Sequence, residues 1–412
     1  MRRWRSVIAM VFAACAFGCT GESADDGTTV LRIALMGPEL EAYKSWKRTF
    51  ETEHPNVRIE TQFIAYDQGP TVYNAMIEGD NLPDLGFLFM GLIAEYAERN
   101  VLESLDVHMS PEERDAWVPI ALSAGAYRGT TYAVPIVGGN RTLYVREDWM
   151  KEAGFQEPPN TWEQVRDLAR KMNQPPERYG MCIGAGRQKH LMQEQISMMW
   201  GFGADFFDED GRLAINSSEA VDYVSFLGAM HTVDHAMPPG ILTLNANECY
   251  AEMAAGKVGM VFSSVWQPRM CEDAGIKDCI PLDIPGGKNR KMLMIVDLLS
   301  IFKTSKHKDL AYDFIRMTQR PENRVLIDAE VGGVPVTRVV ADHPHYEIPS
   351  IRVFQAHRDL LKLTPKHPEW TRIQDGWGEA IQMVLSGGGT AREALDGIQA
   401  RLLRELEDPS LP

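Results

Sequence analysis

Three of the nine tryptophans and a handful of planar polar side chains are the residues of this 412-residue chain best suited to chemistry, and that chemistry is recognition. An indole offers a flat apolar surface to the apolar face of a sugar-like ring. Asp, Glu, Asn and Arg can bond its hydroxyls; each buried hydrogen bond contributes about 1 kcal/mol, so several must converge. Trp266 ends the run Gly256 to Trp266, at the carboxyl end of a strand, which in an open α/β sheet is the ligand side. Trp370 and Trp377 stand seven apart and share a helix face, whereas Trp200 reads as core. Asp297 lies inside the apolar run MLMIVDLLSIF, where a carboxylate needs a partner. Asn140 and Arg141 follow Gly138 and Gly139 at a crossing point, and the GRQKH loop adds Gln188 and His190.

Covalent and metal chemistry find less support. Glycoside hydrolysis needs two carboxylates flanking one bond at a set separation, and no G-x-S-x-G, H-E-x-x-H or P-loop is present. His231 and His235 have the spacing of a metal pair without a carboxylate to complete it, and read as surface histidines. Asp208, Glu209 and Asp210 lack the distal Glu of a calcium loop and read as a solvated turn. No cofactor or metal is expected. A formal net charge of −15 disfavours nucleic acid as a partner.

The elements that must position these residues alternate. LRIALMG, VRIETQFI and Leu82 to Phe89 read as strands separated by helices over Glu39 to Glu53 and Val72 to Glu78, which argues a parallel α/β sheet. Thr130 to Ile136 and Thr142 to Val145 are two β-like runs divided at Gly138 and Gly139. Beyond Pro158 and Pro159, Thr161 with Gln164 three residues on predicts a capped helix carrying Val165, Leu168, Ala169 and Met172 on one face. Later strands are expected at Tyr179 to Ile183, Gly256 to Trp266 and Leu293 to Lys303. After Ile351 the chain is expected to be helical, over Ile351 to Leu363, Glu369 to Leu385 and Ala391 to Glu407. At this length two lobes are expected rather than one core.

Several of these stretches resemble one known family. Tyr132-Ala133-Val134-Pro135, Leu143 to Asp148, Pro158 to Glu163, the strand from Gly256 to Trp266, and Gly332-Gly333-Val334-Pro335-Val336 are similar to the signature of family 1 extracellular solute-binding proteins, the maltose-binding type that serve sugar ABC transporters. The resemblance spans about Leu31 to Leu406. It implies an α/β two-lobe periplasmic-binding-protein fold of type II topology, with hinge crossings and a helical C-terminal segment. The first lobe would comprise 30–139 plus 288–342, and the second 140–287 plus 343–412. The implied ligand residues are Trp266 stacking on a ring, an aromatic from Trp370 or Trp377, Glu39 after the first strand, Asn140 and Arg141 at the crossing, Phe89, Asp297, and the backbone amide of Gly333. Phe87 to Met90 depart from the maltose-binding pattern, which has a tryptophan and charged hydroxyl binders there, and this argues against maltose as the solute.

The amino terminus carries Arg2, Arg3 and Arg5, an apolar run from Val7 to Phe17, and Ala16-Phe17-Gly18-Cys19. This resembles a lipoprotein signal (1–19) with Cys19 as the lipidated residue, followed by a tether (20–29). A lipid-anchored monomer at the cell envelope is expected, taking a small solute and handing it to ABC permease subunits. Four cysteines remain, Cys182, Cys249, Cys271 and Cys279; they allow three pairings, of which Cys271 with Cys279 closes the smallest loop. Arg141 leaves open an anionic solute such as a glycerol phosphodiester or sugar acid, and a polyamine is a further alternative.

Overall fold

The computed structural model describes residues 27–186, 193–286 and 289–407. Cys19, the signal, Gln188 and His190 lie outside the described residues. Among these residues twelve strands form two main sheets and a small hairpin. In chain order they are β1 (Thr29–Met36), β2 (Val57–Ile64), β3 (Leu85–Phe89), β4 (Ala126–Tyr127), β5 (Thr130–Thr131), β6 (Ala133–Asn140), β7 (Thr142–Arg146), β8 (Tyr179–Cys182), β9 (Val258–Ser263), β10 (Cys279–Leu282), β11 (Met292–Ile301) and β12 (Leu361–Lys362).

The first sheet runs β12-β11-β3-β1-β2, with β6 also on β11; the second runs β10-β7-β9-β8. β1 is parallel to β2 and β3, whereas β11 returns antiparallel to β3 and β6. β3 and the second half of β1 are apolar and buried nearly throughout, as strands covered on both faces must be. The helix Glu41–Glu53 covers this sheet with Trp46 and Phe50, which meet Phe314 edge-on at 6.5 and 5.3 Å. In the second lobe the expected capping box is present: the Thr161 hydroxyl accepts from Gln164 N at 3.2 Å, and the helix Trp162–Met172 buries Val165, Leu168, Ala169 and Met172.

The chain passes between the sheets at Arg141, the single residue between β6 and β7, and again between β10 and β11. The first crossing is braced from behind. Pro135 in β6 has no N–H to donate, and the register against β11 slips there: Asp297 opposes Val137 while Leu298 opposes Pro135, so Ile136 has no opposite number. The Ile136 carbonyl is taken by fully buried Arg324, which also holds Asp328 at 3.0 and 3.1 Å; Tyr346 donates to the same carboxylate at 2.6 Å.

One expectation about the late chain needs correcting. Ile351 to Leu363 is not one helix: it is the helix Pro349–Ala356 followed by β12, which joins the first sheet beside Met292 and Leu293. Lys362 in β12 reaches Asp205 and lies 4.7 Å over the Trp200 ring, a tertiary anchorage that overrides local helix preference. Both disulfides form, Cys182 with Cys249 and Cys271 with Cys279, and both lie in the second lobe. Among the described residues no helix is long and apolar enough to cross a membrane.

Candidate functional site

The carboxyl ends of β1, β2 and β3 point the same way, and the residues just beyond them share one edge of the first sheet. Phe89 is the last residue of β3, and Tyr66 stands two residues beyond β2. Their rings lie 5.8 Å apart at 30°, and Tyr66 keeps 45% of its surface exposed. Gly37, after β1, adopts φ +81°, and a Cβ there would strike the Tyr66 ring at 2.8 Å, so glycine is required on both counts.

Asp297 faces this edge. It is the direct cross-strand neighbour of Phe89, and the slipped register at Ile136 sits beside it. Half-buried and without a hydrogen bond or ion pair among the described residues, its carboxyl is pushed by burial up to about 7, against the downward pull of the Arg141 charge. The Asp297 charge in turn reaches the phenols of Tyr43 and Tyr66, which burial first, and Asp297 second, hold above the usual range.

The opposing wall comes from the second lobe. Arg141 donates from Nε to Glu194 Oε1 at 2.7 Å, from Nη2 to Gln193 Oε1 at 2.9 Å and from Nη1 to the Asn140 carbonyl at 3.1 Å. Tyr250 donates to the same Glu194 oxygen. Tyr250 also meets Trp266 edge to face, with ring centres 5.3 Å apart. Trp266 is half-buried at the start of the helix Gln267–Asp273, three residues past β9. It abuts Gly332, which closes the helix Pro321–Val331 in the left-handed conformation (φ +67°); a Cβ there would come within 3.2 Å of Trp266. The Cys182–Cys249 bridge fixes the residue before Tyr250, and Cys271–Cys279 clamps the helix that Trp266 opens.

Of the residues expected in the site, Trp266, Arg141, Asp297 and Phe89 are brought into one neighbourhood, linked through Tyr250, Glu194 and Tyr66. The others are placed differently. Trp377 is 1% exposed, stacked parallel on Tyr223 at 6.1 Å; Trp370 is 2% exposed, edge-on to Phe206 at 4.8 Å, and packs against Gly91, two residues beyond Phe89. Seven-residue spacing gave them a common face, and that face is buried in helix packing. The Gly333 amide is already donated to the Asp328 carbonyl at 2.7 Å. Asn140 is fully buried with its amide on Met292 Sδ at 3.6 Å. Glu39 is exposed, 3.8 Å from Lys44, and lines a surface pocket of about 200 Å³ with Tyr43, Lys47 and Arg48.

Glu194, Tyr250, Tyr43 and Tyr66 escaped the sequence reading. The strand-end logic that selected Trp266 applies equally to Tyr66 after VRIETQFI. A glutamate in QEQISMMW, close to Ile196, Met198, Met199 and Trp200, was the available signal for Glu194. No group of three His, Cys, Asp or Glu among the described residues could hold a metal.

Residues 37–325 match the family model described as bacterial extracellular solute-binding protein. The maltotriose-binding protein of Pyrococcus abyssi is 23% identical over 87% of this chain and 78% of its own length. The mannitol-binding protein of Pseudomonas aeruginosa is 22% identical over 94% and 95%. In fold, the chain superposes with a TM-score of 0.82 on an ABC substrate-binding protein of Listeria monocytogenes solved with cycloalternan, at 20% identity over 92% of this chain and 99% of that one.

Proposed function

We propose that this chain, which belongs to the bacterial extracellular solute-binding protein family, captures a carbohydrate between its two lobes by hinge closure and delivers it to an ABC permease. The observation that carries this reading is the disposition of charge. The Arg141 guanidinium is committed to Glu194 and Gln193, so at the β6–β7 crossing it is not free for an anionic solute. What faces a ligand is an indole, a phenol and a carboxylate, the partners of a ring with hydroxyls. The sugar-binding names of two relatives support the same class. Closure is a population shift, driven by tighter binding to the closed form, and no bond is made or broken. The lobe boundaries at 139/140 and 287/288, and a lipid anchor on Cys19 at the outer face of the membrane, belong to this reading.

A thermal-shift and calorimetric panel tests it. Neutral mono- and oligosaccharides are expected to raise the unfolding temperature saturably and to be recovered unchanged. Stabilisation by sugar acids or glycerol phosphodiesters alone, or turnover of any oligosaccharide, would overturn it.

A further inference from the structure

The charge at the Asp297 edge favours one kind of carbohydrate. The geometry points to a solute bearing a protonated amino group, an amino sugar or aminated oligosaccharide, whose ammonium sits on Asp297 among the rings of Tyr43, Tyr66 and Phe89. This deepens the carbohydrate reading and rests on it.

Among the described residues, the charges packed closest to Asp297 are answered. Arg141 is neutralised by Glu194, and Arg324 by Asp328. Both oxygens of Glu330, at the end of the helix Pro321–Val331, accept from the Glu41 and Ala42 amides at 2.9 and 3.0 Å, where the positive helix start favours an anion. Asp297 alone has no hydrogen bond or ion pair among the described residues. A carboxylate left half-buried in this way is costly, and a strand interior is an unusual place to keep one. A neutral hydroxyl would donate one hydrogen bond to it; an ammonium adds full charge complementarity, with π faces within reach of the same cation. Phe89 lies directly across the strand, and Tyr66 leaves nearly half its surface open beside it. The slipped register of β6 against β11 falls at this residue, as such irregularities do where a strand must re-aim a side chain. A net charge of −15 draws cations toward the molecule as a whole.

The test is calorimetric titration of matched pairs, glucosamine against glucose, galactosamine against galactose, and a chitosan disaccharide against cellobiose. The expected result is roughly tenfold tighter binding of the amine in at least one pair, as a charge-assisted bond replaces a neutral one. Asp297→Asn should reduce that preference to about twofold or less while the hydroxyl partner still binds. Affinity for the amine should rise as pH climbs toward about 7, where Asp297 ionises and Arg141, Tyr43 and Tyr66 hold their charge states, and fall again at higher pH as the ligand ammonium loses its proton; affinity for the neutral sugar should not follow this bell. Tyr66→Leu, at an exposed position, gives a second variant that folds independently of the Asp297 result. Equal or weaker amine binding in every pair, or a preference that survives Asp297→Asn, overturns this inference and leaves carbohydrate capture standing. Binding of neither partner in any pair overturns both.

Discussion

The two walls of the cleft are built on opposite plans. On the second-lobe wall, among the described residues, the charges of Arg141 and Glu194 are paired, with Tyr250 on the same Glu194 oxygen, and two disulfides fix the elements that carry Tyr250 and Trp266. On the first-lobe wall Asp297, Tyr66 and Phe89 sit at a sheet edge with a register slip, no disulfide among the described residues and a carboxylate without a partner. One side spends its polar groups on rigidity. The other keeps them for the ligand, so loss of a charged group should damage stability on one side and affinity on the other.

The largest effect is expected where a paired charge is orphaned. Glu194→Ala leaves the Arg141 guanidinium, 16% exposed, without its anion, and should cost about 3–5 kcal/mol in denaturant unfolding. Replacing Cys182 and Cys249 together by serine should cost about 2–4 kcal/mol, also on the second-lobe side. Tyr66→Ala removes a half-open ring and should weaken sugar binding by about 1 kcal/mol, several-fold in Kd, with little change in melting temperature. The smallest effect is on pH dependence. Asp297 titrates near 7 in the folded protein and near 3.8 unfolded, so the unfolded chain releases its proton first. Ligand-free stability conferred by the protonated form should decline between about pH 4 and 7 and level off above, and Asp297→Asn should flatten that decline. A Glu194→Ala protein as stable as wild type, or an Asp297→Asn protein that loses stability at pH 8, would erase the contrast between the walls.

What the sequence disclosed was mostly local. The Thr161 cap, the strand ending near Trp266 and the return of β11 through Asp297 follow from side-chain type and spacing, and all are present. What it concealed was set by tertiary partners. Trp370 and Trp377 share a face as their spacing requires, but only the packed fold shows Phe206 and Tyr223 filling that face. Leu361 and Lys362 carry no strand signal; β11 on one side and Asp205 on the other draw them into the sheet. Arg141 was legible as a residue at a crossing, while its neutralisation by Glu194, 53 residues later, was not.

The claim that one solute bridges two dissimilar walls is tested most directly by calorimetric titration of a saturating sugar into wild type, Trp266→Ala and Asp297→Asn. Binding should be one to one in wild type and at least roughly tenfold weaker in each variant, since each removes the contact of a different lobe. Unchanged affinity in either variant would contradict a bridged site and leave the solute on one wall alone.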